Sequence, residues 1–236
     1  MKRITVLAFI FFCFSAIFTF NATAETELTY ANFFPPQHGQ SQLAQSWCDE
    51  VEKRTNGEIK IKYYPSSTLL NPGTMYDGVV NGIADIGFAV LAYSRGRFTV
   101  ASAIDLPFGY TNGVQATKVA NAVYNKFQPK EFKDTKIMYL HAHGPGVLHT
   151  ADKEVSSLAD LKGLKIRGTG TSGLIVNALG GSAVGKNMGE SYTMLQKGVV
   201  DGSLHPLEAN KGWKLGEVVH HAVKSSAATY TITCLL

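Results

Sequence analysis

The first half of the chain alternates between the hydrophobic periodicity of a strand and that of a helix. Leu43, Trp47 and Val51 recur every four residues and predict an amphipathic helix, whereas the residues after it alternate apolar and polar side chains as a half-buried strand does. The order predicted is strand 28–33, helix 38–54, strand 59–64, short helix 74–81 and strand 85–91. A β-α-β-α-β order favours a parallel sheet covered by helices.

The pattern of the second half predicts another α/β unit. A helix over 114–127 and a strand over 136–141 come first. They are followed by a strand ending at Arg167, helices over 172–179, 190–197 and 212–221, and a short strand after Gly202. We place the boundary near Gly144-Pro145-Gly146, which divides the chain into lobe I (25–144) and lobe II (145–224). The fold class is α/β, with two lobes of the periplasmic binding protein kind and a ligand cleft between them.

The N-terminus has the features of a secretory signal. Lys2 and Arg3 precede an almost wholly apolar stretch over 6–20, and Ala22-Thr23-Ala24 supplies small residues for cleavage after Ala24. We therefore expect a periplasmic protein. The alternative is an uncleaved anchor, but the apolar run is shorter than the roughly 20 residues of a membrane-spanning helix.

Charge and cysteine content limit the partners. The net charge is +4, which falls to +2 without Lys2 and Arg3, and the basic residues are scattered among acidic ones. No nucleic-acid partner is indicated. Cys48 and Cys234 remain after signal cleavage; a buried thiol is the expectation for Cys48, and a disulfide between the two is the alternative.

The segment around Arg167 carries the most specific chemistry. Arg167 ends a short strand, and Gly168, Gly170 and Gly173 then lead into an apolar helix. A guanidinium beside a helix N-terminus attracts anions, so we interpret Arg167 as a carboxylate ligand. The glycine spacing also matches the dinucleotide fingerprint, and a third alternative is that the glycines only shape a turn.

Two further groups of residues are candidates for a site. Phe34 and His38 follow the first strand and Tyr93 follows the third, at the strand ends where a cleft would be lined. His141, His143 and His149 suggest an alternative function, a secreted metal-dependent hydrolase. No serine or cysteine nucleophile motif occurs, and we predict neither catalytic residues nor a cofactor.

Several short motifs, taken in their order, resemble the periplasmic solute-binding proteins of TRAP transporters, the DctP type. They lie at 55–57, 64–65, 69, 79–87, 106–108, 160–167 and 192–202. The resemblance implies a monomeric, non-enzymatic binding protein that captures an organic acid and delivers it to a sodium-coupled membrane permease.

The same resemblance assigns roles to individual residues. Arg167 falls at the family's carboxylate-binding arginine, Met188 at a residue that packs on the ligand, and His205 where an asparagine often bonds it. His149 is the only titratable side chain near the place of a second basic residue. We therefore expect a monocarboxylate with an apolar or aromatic body.

The C-terminus departs from the family pattern. The chain is shorter than the family's usual length, and residues 231–236 are apolar and unlike its continuation. We expect 225–236 to begin a return crossing to lobe I, with later C-terminal elements missing. A fragment, a frameshift and a non-functional truncated remnant are the alternatives that this ending leaves open.

Overall fold

The computed structural model describes residues 25–94, 96–223 and 232–236. The predicted signal segment, 1–24, lies outside the described residues. The strands are β1 (Thr26–Ala31), β2 (Ile59–Tyr64), β3 (Ile86–Val90), β4 (Tyr139–Ala142), β5 (Gly146–Thr150), β6 (Lys165–Arg167), β7 (Ser182–Val184), β8 (Gly202–Pro206), β9 (His221–Val223) and β10 (Ile232–Leu235). The α-helices are α1 (Gly39–Arg54), α2 (Met75–Val80), α3 (Gly113–Phe127), α4 (Thr171–Ala178), α5 (Ser191–Gln196) and α6 (Glu208–Gly212).

The strands form two sheets, with helices packed on each. The first sheet has the order β2-β1-β3-β10-β4, and the second has the order β7-β6-β8-β5-β9. The α/β class with two lobes is confirmed. The strands of the second sheet all fall within 146–223, while β10 joins the first sheet from the end of the chain. The exact lobe bounds, 25–144 and 145–224, stay a prediction.

Helix α1 illustrates how the sequence sets local structure. His38 caps its start, accepting the backbone N–H of Gln40 at Nδ1 over 3.2 Å. The helix ends where Asn56 and Gly57 take positive φ values of 51° and 82°, conformations that glycine and asparagine tolerate best. The predicted helix over 38–54 is confirmed.

Both sheets are mixed. The parallel pairing predicted for the β-α-β-α-β half of the chain is confirmed, and the antiparallel pairing was not predicted. β1 pairs in parallel with β2 and β3, as expected, but β10 is antiparallel to both β3 and β4. In the second sheet β6 is parallel to β7 and β8, while β5 is antiparallel to β8 and β9. Of the strands with antiparallel partners, β4 and β8 were predicted, whereas β5, β9 and β10 are short segments that the pattern did not reveal.

The predicted helix over 212–221 is also wrong. Helix α6 spans Glu208–Gly212 and ends where Lys214 adopts a left-handed conformation, with φ 56°. A single 3₁₀ turn follows, and the chain then enters the edge strand β9. His221 therefore lies in a strand rather than on a helix.

The buried side chains form three apolar clusters. Two pack on either side of the first sheet and contain Cys234 and Cys48 respectively, and the third includes Met188 and Leu215 of the second lobe. Cys48 and Cys234 are free and buried, so the alternative disulfide is not formed. Burial raises the pKa of the Cys48 thiol to about 11.

Within the described ranges, no helix is long and apolar enough to cross a membrane.

Candidate solute-binding site

A cavity of about 150 Å³ lies between the two sheets. Its walls come from segments at the carboxyl ends of β1, β3, β6 and β8, the place where ligands bind in α/β sheets. The structure brings six of the seven predicted site residues to this cavity: Arg167, Met188, His205, Tyr93, Phe34 and His38. The seventh, His149, lies behind His205 and does not line the cavity.

Arg167 is the only basic side chain among the described lining residues other than histidine. It is 3% exposed at the end of β6, and its Nε donates to the carbonyl of Lys186 over 2.8 Å. No carboxylate within the described ranges forms an ion pair with it. A buried guanidinium without an anionic partner is costly, and a bound carboxylate would supply that partner.

The hydroxyl of Tyr93 joins the two lobes beside this arginine. It accepts the N–H of Met188 over 3.1 Å and a bond from Nη2 of Arg167 over 3.3 Å. Tyr93 follows β3 of the first sheet, while both of its donors belong to the second lobe. With its oxygen accepting twice, the hydroxyl retains its own proton for donation.

Aromatic rings form one wall of the cavity. Phe33 stacks on Trp213, with centroids 6.1 Å apart and planes 13° from parallel. Phe34 stacks on the imidazole of His38 at 4.3 Å, and both lie within 6 Å of Trp213. Gly212 permits this approach, because a Cβ there would lie only 2.0 Å from the His38 ring. Three rings of the first lobe therefore contact a tryptophan of the second.

His205 and His149 form a stacked pair in the floor of the site. Their centroids are 3.9 Å apart and their planes 8° from parallel. His149 Nδ1 donates to the carbonyl of Val147, so its Nε2 is left to accept from Asn210 Nδ2 at 3.1 Å. Asn210 Oδ1 accepts in turn from His205 Nε2 at 2.8 Å, and His205 Nδ1 accepts from Ser203 at 3.0 Å. This assignment of protons satisfies every atom in the chain of bonds.

Both rings are neutral near pH 7 because they are buried. Burial lowers the pKa of His205 to about 3, and the neighbouring His149 adds to the effect. Burial also lowers the pKa of His149. Since both nitrogens of His205 are engaged within the protein, this residue offers the ligand a ring surface rather than the hydrogen bond that the family's asparagine suggested.

The three histidines of the alternative hydrolase are not assembled as metal ligands. His141 and His143 line the cavity, but His149 lies behind His205 with both ring nitrogens bonded. Across 25–94, 96–223 and 232–236, no cluster of three or more histidine, cysteine or acidic residues is placed to hold a metal ion.

The structure also adds residues that sequence reasoning missed. Trp213, Glu208 and Phe33 line the cavity, and Asn210 orders the histidine pair. Glu208, Asn210 and Trp213 lie in or next to α6, for which the wrong helix bounds were predicted. Phe33 lies in the segment expected at the cleft, but only Phe34 and His38 of that segment were chosen as site residues.

Comparison with known proteins identifies the family. The model for bacterial extracellular solute-binding protein family 7, DctP, matches residues 30–235. The chain belongs to this family. The match extends to residue 235, so the expectation that residues 231–236 are unlike the family is wrong. The expected shorter length agrees with the share of its relatives that the chain covers. The family is extracytoplasmic, and its members include the TRAP solute-binding proteins.

Individual relatives support the assignment of this chain to the DctP family. The 2,3-diketo-L-gulonate-binding periplasmic protein YiaO of Escherichia coli K12 is 28% identical over 233 residues, which cover 94% of this chain and 71% of that protein. The TRAP solute-binding protein of Rhodoferax ferrireducens, solved with copurified benzoate, is 32% identical with a TM-score of 0.84; the match covers 89% of this chain and 67% of that one.

A third relative comes from a marine metagenome. This TRAP solute-binding protein, described as specific for aromatic acid ligands and solved with 3-hydroxybenzoate, is 30% identical with a TM-score of 0.84. The match covers 90% of this chain and 68% of that one. The DctP-family chain thus spans about two thirds of the length of these solved structures.

Proposed function

We propose that this protein is an extracytoplasmic receptor for an aromatic monocarboxylate, held through Arg167. The observation that carries the proposal is a buried guanidinium, without an ion-pair partner in the described part of the chain, inside a cavity walled by rings. Charged hydrogen bonds contribute about 1.5–3 kcal/mol each, so the arginine gives both affinity and orientation.

The size and lining of the cavity favour an aromatic body. A cavity of about 150 Å³ is of the order that accepts a benzene ring. Phe33, Phe34 and Trp213 supply ring faces and edges, and Met188 supplies a polarisable thioether that packs well on aromatic rings. A sugar acid would leave several hydroxyls against these apolar walls without partners.

Two relatives at 30% identity or more support the same ligand class. The Rhodoferax ferrireducens protein was solved with benzoate and the metagenomic protein with 3-hydroxybenzoate. Family membership supports delivery of the ligand to the membrane permease of a TRAP transporter, the sodium-coupled uptake system expected from the sequence. We further propose that the protein acts in the periplasm as a monomer and that it binds its ligand without catalysis and without a cofactor.

Calorimetry on the full chain tests this function. We expect saturable binding of benzoate, with a ratio of one ligand per chain, and markedly weaker binding of L-malate and D-glucuronate. A non-aromatic acid that binds as tightly as the best aromatic acid would contradict the ring-lined site. Failure of every carboxylate would contradict the function itself.

A further inference from the structure

The cavity has a second charged group besides Arg167. Glu208 is the only carboxylate among the described lining residues. Its Oε1 accepts the N–H of Gly144 over 2.9 Å, whereas Oε2 forms no hydrogen bond within the described ranges. A Cβ at Gly144 would approach Oε2 to 2.9 Å, so the glycine lets the carboxylate sit directly against the segment between β4 and β5.

The histidines around Glu208 do not neutralise its charge. Burial is the largest influence on His38, His141 and His143 and lowers the pKa of each, while the charge of Glu208 opposes that change. All three rings therefore lie within electrostatic reach of the carboxylate and stay mainly neutral near pH 7. The site presents one positive group and one negative group, each with an unused hydrogen-bonding atom.

Resting on the proposed function, we propose that Glu208 is a specificity-determining residue that selects an aromatic monocarboxylate bearing a hydroxyl group. The carboxylate of the ligand pairs with Arg167, and the phenolic hydroxyl donates to Oε2 of Glu208. A second carboxylate on the ring would meet a like charge and is rejected. An unsubstituted ring binds but leaves the acceptor unused.

The test combines ligand and protein changes. Calorimetry compares benzoate, the three hydroxybenzoates and the three benzene dicarboxylates on the wild-type chain, Glu208→Gln and Glu217→Gln. Glutamine keeps an oxygen for Gly144 while removing the charge. Glu217, which accepts a bond from Tyr192 and does not line the cavity, is the matched control.

For the wild type and Glu217→Gln, we expect at least one hydroxybenzoate to bind roughly tenfold tighter than benzoate, since its hydrogen bond is to a charged acceptor. Glu208→Gln should reduce that preference for the hydroxybenzoate over benzoate to about threefold or less and bring the dicarboxylates closer to benzoate. This pattern would show that the substitution at Glu208 removes an interaction with the hydroxyl group of the ligand and does not act through the folding of the protein.

Three outcomes overturn the assignment. In the first, the wild type binds benzoate and every hydroxybenzoate equally; in the second, Glu208→Gln weakens benzoate as much as the preferred hydroxybenzoate. In the third, phenylalanine, measured as an additional ligand, binds the wild type more tightly than any hydroxybenzoate, because its ammonium pairs with Glu208. In all three, aromatic acids still bind, so the receptor function stands. If no aromatic acid binds the wild type, the function and this inference fail together.

Discussion

His149 and His205 share a single amide, that of Asn210, which donates to the first ring and accepts from the second. Protonating His149 would place its Nε2–H against the donating Nδ2 of Asn210, and burial disfavours a charge on either ring. The pair therefore holds both imidazoles neutral, and it links β5 and β8 of the second sheet through side chains as well as through the backbone ladder.

The neutral pair predicts acid sensitivity. The pKa of His205 is lowered to about 3 in the folded state, against about 6.5 when unfolded, so below pH 6.5 the unfolded chain binds more protons. The stability is fully present above pH 6.5 and is lost as pH falls toward 3, at about 1.4 kcal/mol per pH unit for each such proton. Urea unfolding at pH 7 and pH 5 measures the loss.

A variant separates this contribution from general acid effects. His205→Asn removes the titrating group, so we expect a lower stability at pH 7 but a smaller decrease between pH 7 and pH 5. An equal decrease in both proteins would show that the pair does not cause the acid sensitivity.

Replacing Arg167 tests the carboxylate anchor. Arg167→Ala should abolish measurable binding of benzoate, and Arg167→Lys should not restore it, because lysine lacks the planar fork and the donor to the Lys186 carbonyl. Calorimetry measures both. Arg54→Ala, at an exposed pair on α1, is the control and should bind as the wild type does. Affinity retained in Arg167→Ala would place the carboxylate elsewhere.

Trp213 should report ligand binding directly. The sequence contains two tryptophans, and Trp47 packs against Tyr30 away from the cavity lining. In Trp47→Phe, benzoate should therefore change the fluorescence of the remaining Trp213; in Trp213→Phe, the emission of Trp47 should stay constant. Ligand-induced change confined to Trp47 would contradict the position of the ring wall.

The hydroxyl of Tyr93 should contribute to closure of the lobes. Tyr93→Phe leaves the Met188 N–H without its acceptor, a loss of about 1–3 kcal/mol when the group stays buried. We expect roughly tenfold weaker benzoate binding and a larger radius of gyration by solution scattering. Tyr192→Phe removes an exposed hydroxyl bond and is the control. Unchanged affinity in Tyr93→Phe would show that the bond does not favour the closed form.

The sequence predicted the parallel part of the fold better than the antiparallel part. Buried strands such as β3 and amphipathic helices such as α1 depend on local periodicity, which a single chain displays. The antiparallel strands β5 and β9 are defined by partners distant in the chain, and no local pattern encodes those partners.

The residues of the site differ in the same way: some have a local sequence pattern that reveals them, and others depend on partners distant in the chain. Arg167 and Tyr93 were found because the first ends a predicted strand and the second follows one, and strand ends meet at one edge of a sheet. Asn210 was not found, because its role depends on two rings that lie 61 and 5 residues away in sequence. A polar residue on a short helix gives no sign of such partners.

The place of β10 between β3 and β4 has a consequence for the order of folding. β4 pairs only with β10 among the described strands, so it remains without a partner until residues 232–235 are available. All strands of the second sheet precede β10 in the chain. The described strands of the second sheet can therefore pair first during synthesis. The first sheet forms later, because the pairing of β4 with β10 joins residues far apart in the sequence, and such contacts form slowly.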